Sequence, residues 1–146
     1  MPDHLIIIGG GPIGLEMAQA HRQLGAKVTI IEMMTILPKD DHDMVNVVRT
    51  EIEASGISLY ENAKTQRVEL NGDQIRVVIE QNGADITIEG SHLLLATGRA
   101  PNVENLGLDD AGVAFDRRGI EVDARLRKTN RKIFALGDVT GGLQFT

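Results

Sequence analysis

The chain has 146 residues and contains no cysteine and no tryptophan. Without thiols it has no disulfide framework, no thiolate nucleophile and no cysteine-ligated metal. Aromatic residues are only 3% of the chain, so no stacking platform for bases is offered. Long apolar runs are also missing. The run Leu5 to Ile8 is short and ends in glycines, so neither a secretory leader nor a spanning helix is expected. A cytoplasmic location without a membrane partner follows as the expectation. Positive charge is in deficit, with 15 Lys and Arg against 21 Asp and Glu and a net charge of −6. That balance argues against nucleic acid or an anionic membrane as partner. What is present is ordinary for a soluble globular protein, 42% hydrophobic and 25% charged, with length enough for a real core.

The most informative stretch is Leu5-Ile6-Ile7-Ile8-Gly9-Gly10-Gly11-Pro12-Ile13-Gly14-Leu15-Glu16. An apolar strand runs into glycines, and a helical pattern follows at once, as in a dinucleotide-binding turn. Gly9 permits the sharp turn, and Gly10 relieves crowding within it. Gly11 lets a pyrophosphate approach the backbone, and Gly14 lets the helix pack near the strand. Pro12 suits the first helical position, where its missing N–H costs nothing, and Ile13 follows it in the same turn. The helix start presents unpaired N–H groups and the positive end of the dipole. A glycine turn alone also joins strand to helix in proteins that bind nothing. Here the helix Pro12 to Leu24 leads through Gly25 into the strand Lys27 to Glu32. Glu32 ends that strand roughly 20 residues beyond the glycines, where the fingerprint places its acid. Its carboxylate suits the adenine-ribose hydroxyls and would repel a 2′-phosphate, which selects NAD(H) over NADP(H).

Ile13, Met17, Ala20 and Leu24 recur at helical spacing and are expected to face the sheet. Asp40, Asp41 and Asp43 precede an apolar-periodic helix with Met44, Val45, Val48 and Ile52. Those acids suit the helix dipole; they lack the fixed glycine and glutamate of a calcium loop. Ile57 to Tyr60 reads as a third parallel strand. Two Asn-Gly pairs, Asn71-Gly72 and Asn82-Gly83, then separate three alternating runs around Arg67–Leu70, Ile75–Glu80 and Asp85–Glu89. That is an antiparallel meander in place of a crossover helix. Leu93 to Ala96 is a short buried strand that stops at Thr97-Gly98. Short extended pieces are expected at Val113 to Phe115 and Ile120 to Val122. The apolar run Ile133 to Leu136, ending in Gly137-Asp138, reads as a strand whose neighbours are missing. The fold class is α/β, a Rossmann-like parallel sheet with an antiparallel three-stranded meander as crossover.

Four motifs occur in order: the glycine turn with Glu16, the strand-end Glu32, Ala96-Thr97-Gly98-Arg99-Ala100-Pro101-Asn102, and Ile133-Phe134-Ala135-Leu136-Gly137-Asp138. Together they resemble the central part of a pyridine nucleotide–disulfide oxidoreductase, the family of dihydrolipoyl dehydrogenase, glutathione reductase and mercuric reductase. The resemblance implies an NAD(H)-binding domain over residues 1–100, and a segment 101–146 that returns into the FAD domain. It implies that Glu16 lies by the nicotinamide carboxamide, although its place in the first helical turn would suit the dipole alone. It implies that Gly98 lies by the nicotinamide ribose and that Asp138 contacts the ribityl portion of FAD. Thr65 falls near a backbone contact to adenine, where the family commonly has valine.

The family's N-terminal FAD domain with its cysteine pair and its dimerisation domain with the catalytic histidine have no counterpart here. His4, His21, His42 and His92 match nothing in that active site and read as surface or strand-edge residues. The chain is therefore expected to be an excised piece. It would bind NAD(H), with FAD belonging to the full-length parent, carry no catalytic residue, and turn over nothing alone. Its partners would be the missing FAD and dimerisation domains, with self-association through their apolar docking face. A dihydrolipoyl dehydrogenase-like parent fits best, because Met33, Met34 and Thr35 stand where NADP(H) enzymes present arginines. A mercuric reductase-like or NADH oxidase-like parent, a stand-alone NAD-sensing module and a remnant that binds nothing are the alternatives.

Overall fold

The computed structural model describes residues 1–123, 130 and 132–141. The chain divides into two compact units, Met1–Gly98 and Arg99–Thr146. In the first, β1 (His4–Ile8) leads to α1 (Pro12–Gln23), β2 (Lys27–Ile31), α2 (His42–Ala54) and β3 (Ser58–Tyr60). Then come β4 (Lys64–Asn71), β5 (Gln74–Gln81), β6 (Ala84–Gly90) and β7 (His92–Leu95). A parallel sheet has the order β3-β2-β1-β7, and β4, β5 and β6 form an antiparallel sheet in sequence order. The meander is thus the connection between β3 and β7, as the two Asn-Gly pairs suggest.

Beyond their first residues, His4 and Lys27, β1 and β2 are apolar except for the buried Thr29, and the reason follows from the layers. Successive side chains of a strand point to opposite faces. Leu5, Ile7, Val28 and Ile30 pack in one core with Leu15 and Ala18 of α1 and Val45 and Ile52 of α2. Ile6 and Ile31 pack in a second core with Val77, Ile79 and Ile88 of the meander. A sheet covered on both faces needs no polar alternation. Burying each Ile stabilises the fold by ~1.5–3 kcal/mol. The second layer sits close: a Cβ on Gly90 would lie 2.8 Å from Ile6 Cγ1 and 3.0 Å from the His4 carbonyl oxygen.

Both meander turns have two-residue loops, because Asn71 pairs with Gln74 and Gln81 with Ala84. In the second loop Asn82 and Gly83 have φ of +53° and +77°, as a type I′ turn requires. The first loop is Gly72-Asp73 rather than Asn71-Gly72, because Asn71 still belongs to β4.

One expectation is corrected in α1. The buried residues are Gly14, Leu15 and Ala18, whereas Leu24 is 65% exposed and Met17 lies at the surface. The stripe Ile13–Met17–Ala20–Leu24 therefore does not face the sheet. Close approach at Gly14 fixes the rotation of the helix, which buries Leu15 and Ala18 beside it. The helix closes in a Schellman motif, with Ala26 N–H bonded to His21 C=O and Gly25 N–H to Arg22 C=O. In α2 Asp41 is the capping residue, and Asp43 stands in the first turn. The Asp41 carboxylate accepts from the N–H groups of Asp43 (2.9 Å) and Met44 (3.4 Å). Val45 and Ile52 are buried there, while Met44 is exposed.

The second unit has a small core of Val103, Val113, Ile120 and Ala135. Its hairpin pairs β8 (Phe115–Asp116) with β9 (Gly119–Ile120), shorter than the two extended pieces expected. The run Ile133–Leu136 is not a strand: Phe134 makes an isolated bridge, and a short 3-10 helix follows over Gly137–Thr140. Phe134 and Leu136 are 60% and 71% exposed, whereas Ala135 between them is buried. Among the described residues, no helix is long and apolar enough to cross a membrane.

Candidate functional site

The glycine turn stands at the carboxyl end of β1, and each glycine has its own reason. Gly9 has φ of +118°, and a Cβ there would collide with the Ala96 carbonyl oxygen. A Cβ on Gly14 would collide with the Gly9 carbonyl oxygen. On Gly10 it would lie 2.8 Å from Ile36 Cγ2 and 3.1 Å from Glu32 Cβ. Gly11 differs, because a Cβ there meets nothing within 4 Å and its φ of −76° suits any residue. The fold itself leaves an open cradle at Gly11.

Above that cradle the start of α1 is uncapped by any side chain. The first bond into the helix runs from Leu15 N–H to Gly11 C=O. The N–H groups of Gly11, Ile13 and Gly14 find no acceptor among the described residues. Pro12 has no N–H to satisfy. Three N–H donors without an acceptor at the positive end of a helix are suited to an anion such as a pyrophosphate. The helix begins at Pro12 and has no acid in its first turn, so Glu16 stands in the second turn. That corrects its expected place, and a first-turn dipole role no longer accounts for it. Glu16 is exposed and makes no hydrogen bond or ion pair among the described residues.

Glu32 is held just beyond β2. Its Oε2 accepts from Gly10 N–H at 2.7 Å, and its Oε1 accepts from Met34 N–H at 2.9 Å. Two backbone donors fix the carboxylate and leave lone pairs for further donors such as a vicinal diol. A groove of about 290 Å³ is lined by Gly9, Glu32, Met33, Lys64, Thr65 and Thr97. The structure therefore brings Gly9, Glu32 and Thr65 to one groove beside the open cradle. Thr65 pairs with Ile79 next to the point where the register of β4 on β5 shifts, and Gln66 is the extra residue there. Gly98 has φ of +127° and open space around its Cα, so its backbone conformation favours glycine.

Asp138 lies in the second unit at the start of the 3-10 helix, where Arg99 Nη1 approaches its Oδ2 at 3.4 Å. Its carboxylate is thus engaged by a cation and does not by itself make a flavin site. Among the histidines, His4 is the best placed inside. Its Nε2 lies 2.8 Å from Thr29 Oγ1, the hydroxyl of a buried threonine. Burial and the nearby Lys27 push its pKa below the ordinary value of 6.5.

Sequence reasoning places a loop after Glu32 but does not reveal what anchors it. Ile36 is buried against Gly10, and Leu37 N–H donates to Gly10 C=O at 3.2 Å. Leu37 has φ of +47°, a left-handed conformation that costs a branched residue roughly 1–2 kcal/mol. The same end of the loop is also tied to Glu61, whose Oε1 accepts from Ile36 N–H at 2.7 Å. Arg49 grips the same carboxylate through Nε (2.7 Å) and Nη2 (3.0 Å) and holds its pKa below the usual carboxylate range. No local pattern marks this pair, because it joins a helix to a strand end.

Comparison with known proteins follows the same outline. The model of the pyridine nucleotide-disulphide oxidoreductase family matches residues 1–146. The chain is 40% identical to the probable pyridine nucleotide-disulfide oxidoreductase RclA of Escherichia coli, covering 100% of this chain and 33% of RclA. It is 38% identical to dihydrolipoyl dehydrogenase of Thermus scotoductus, over 95% of this chain and 31% of that enzyme. Identity to mercuric reductase of Bacillus cereus is 40%, over 99% of this chain and 23% of that enzyme. Among solved structures, the HOCl-induced flavoprotein disulfide reductase RclA from Escherichia coli superposes with a TM-score of 0.88 at 38% identity, over 99% of this chain and 33% of its own. The chain spans a third or less of the length of these relatives.

Proposed function

Because the chain belongs to the pyridine nucleotide-disulphide oxidoreductase family, we propose that its first unit binds NAD(H) and orients the nicotinamide toward a flavin held elsewhere in the full-length enzyme. The observation that carries the reading is the empty space at Gly11, the N-cap of α1, where the protein packs nothing against the backbone and leaves room for a ligand's approach. The free N–H groups of Gly11, Ile13 and Gly14 hold the pyrophosphate. Glu32, fixed by two backbone donors, accepts from the adenine-ribose hydroxyls and repels a 2′-phosphate. Thr65 borders the adenine end, and Glu16 and Gly98 border the nicotinamide end. Bound nicotinamide supplies the hydride chemistry; these residues supply affinity, orientation and choice of nucleotide.

The second unit is the return into the FAD domain. Asp138 meets flavin only when the rest of that domain is present, and exposed Phe134 and Leu136 are where it would pack. The parent is dihydrolipoyl dehydrogenase-like, since Met33, Met34 and Thr35 put no guanidinium beside Glu32. A mercuric reductase-like parent is the second reading, favoured by 40% identity to the Bacillus cereus enzyme.

Calorimetric titration of the chain with NADH and NADPH tests the proposal. NADH binds more tightly, and Glu32→Ala weakens NADH by about tenfold while narrowing the gap to NADPH. Absence of binding by either nucleotide overturns it.

A further inference from the structure

We infer that Glu61, which does not line the groove, is a positioning residue for the dinucleotide site: with Arg49 it braces the 33–37 loop so that Glu32 and Gly10 keep the geometry that selects NADH. This rests on the nucleotide reading above. A chain of bonds runs from α2 to the loop. Arg49 Nη1 is anchored on Asn46 Oδ1 at 2.6 Å, one turn back along α2. Arg49 Nε and Nη2 then hold both oxygens of Glu61. Glu61 Oε1 accepts from Ile36 N–H, and Gln81 Nε2 donates to the Glu61 carbonyl at 2.7 Å, tying the same residue to β5. Next door, Asn62 N–H donates to Met34 C=O at 2.7 Å, and Ala63 N–H to Glu32 C=O at 3.0 Å.

The loop is therefore suspended at two points. One is the β3–β4 connection at Glu61–Ala63, and the other is Gly10, through Ile36 packing, Leu37 N–H and the Glu32 carboxylate. Leu37, left-handed at φ +47°, is a strained residue of the kind that surrounding contacts must hold in place. The Arg49–Glu61 pair is well shielded, with side chains 25% and 17% exposed, so it is screened less than a surface ion pair. A bidentate guanidinium fixes direction as well as charge. The carboxylate is needed for a second reason that charge pairing does not cover: it accepts the Ile36 N–H, which an arginine at position 61 would meet with another donor.

The test compares Glu61→Gln, Glu61→Leu, Arg49→Leu and the exchanged pair Arg49→Glu with Glu61→Arg. Calorimetry with NADH and NADPH gives affinities, and amide exchange at Ile36 and Leu37 reports the loop. Glu61→Gln keeps an oxygen for Ile36 and stays within about threefold of wild type. Glu61→Leu loses about tenfold in NADH affinity, narrows the NADH-to-NADPH ratio and speeds exchange at both amides. The exchanged pair behaves like Glu61→Leu. A general loss of stability would weaken both nucleotides alike and leave the ratio unchanged. If Glu61→Leu fails to fold, Glu61→Gln against the exchanged pair decides, with Arg49→Leu intermediate. Wild-type affinity and ratio restored in the exchanged pair, or retained in Glu61→Leu, overturns the inference alone. A wild-type chain that binds neither nucleotide overturns it together with the nucleotide reading.

Discussion

A methyl group on Gly14 would fall on the carbonyl oxygen of Gly9, whereas one on Gly11 meets nothing within 4 Å. Two alanine substitutions three residues apart should therefore separate folding from binding. Gly11→Ala changes stability by less than about 0.5 kcal/mol, since its backbone is already in an ordinary conformation. It lowers NADH affinity by about tenfold or more, because the methyl fills the cradle. Gly14→Ala costs about 1–3 kcal/mol, as α1 must lift off the turn. Thermal unfolding and nucleotide titration of both variants check the pair, and a stability loss at Gly11 equal to that at Gly14 contradicts it. His4 gives a pH dependence of known sign. Burial and Lys27 lower its folded pKa, so between that value and 6.5 the unfolded chain binds more protons than the folded one. Its contribution to stability is complete above 6.5 and is lost as the pH falls through that window. The urea midpoint should drop between pH 7.5 and 5.5, and His4→Gln should flatten the slope.

At the scale of elements, the turns, the Gly25 cap and the helix-favouring acids before α2 were legible because their chemistry is local. Asp41 before α2, Gly25 after α1 and Asn82-Gly83 between β5 and β6 each act within a few residues of where they stand. The cap also yields a magnitude: Asp41→Ala should cost about 1 kcal/mol, read as a lower melting temperature, with Asp41→Asn nearly neutral. What stayed hidden depends on distant partners. The rotation of α1 is set by backbone contact at Gly14, not by the apolar stripe Ile13–Met17–Ala20–Leu24, so periodicity alone misplaced its buried face. The strand over Ile133–Leu136 has the right composition, yet a strand needs neighbours to bond with. The Arg49–Glu61 brace involves charged residues that any sequence reading assigns to solvent.

At the scale of the molecule, the layers explain how much of the fold could be read. An apolar run without alternation means a strand covered on both faces, and the meander that follows supplies the second cover for Ile6 and Ile31. The glycine turn and Glu32 were equally readable, because the residue types themselves carry the geometry. The groove they share needed the folded chain, since Thr65 and Thr97 arrive from the meander and from beyond β7. That arrangement has a kinetic side. β1 is flanked by β2 and by β7, and the bond from His4 N–H to Ser91 Oγ closes 87 residues of chain. Loop closure over such a span comes late, whereas the meander's hairpins pair neighbours in sequence. In pulse-labelled refolding, amides of β4 to β6 should gain protection before Ala96 N–H, which bonds to the Ile8 carbonyl beside the glycine turn. Early protection of Ala96 would reverse that order. During synthesis on the ribosome, the turn is made first and becomes a finished groove only once residues 92–97 have emerged.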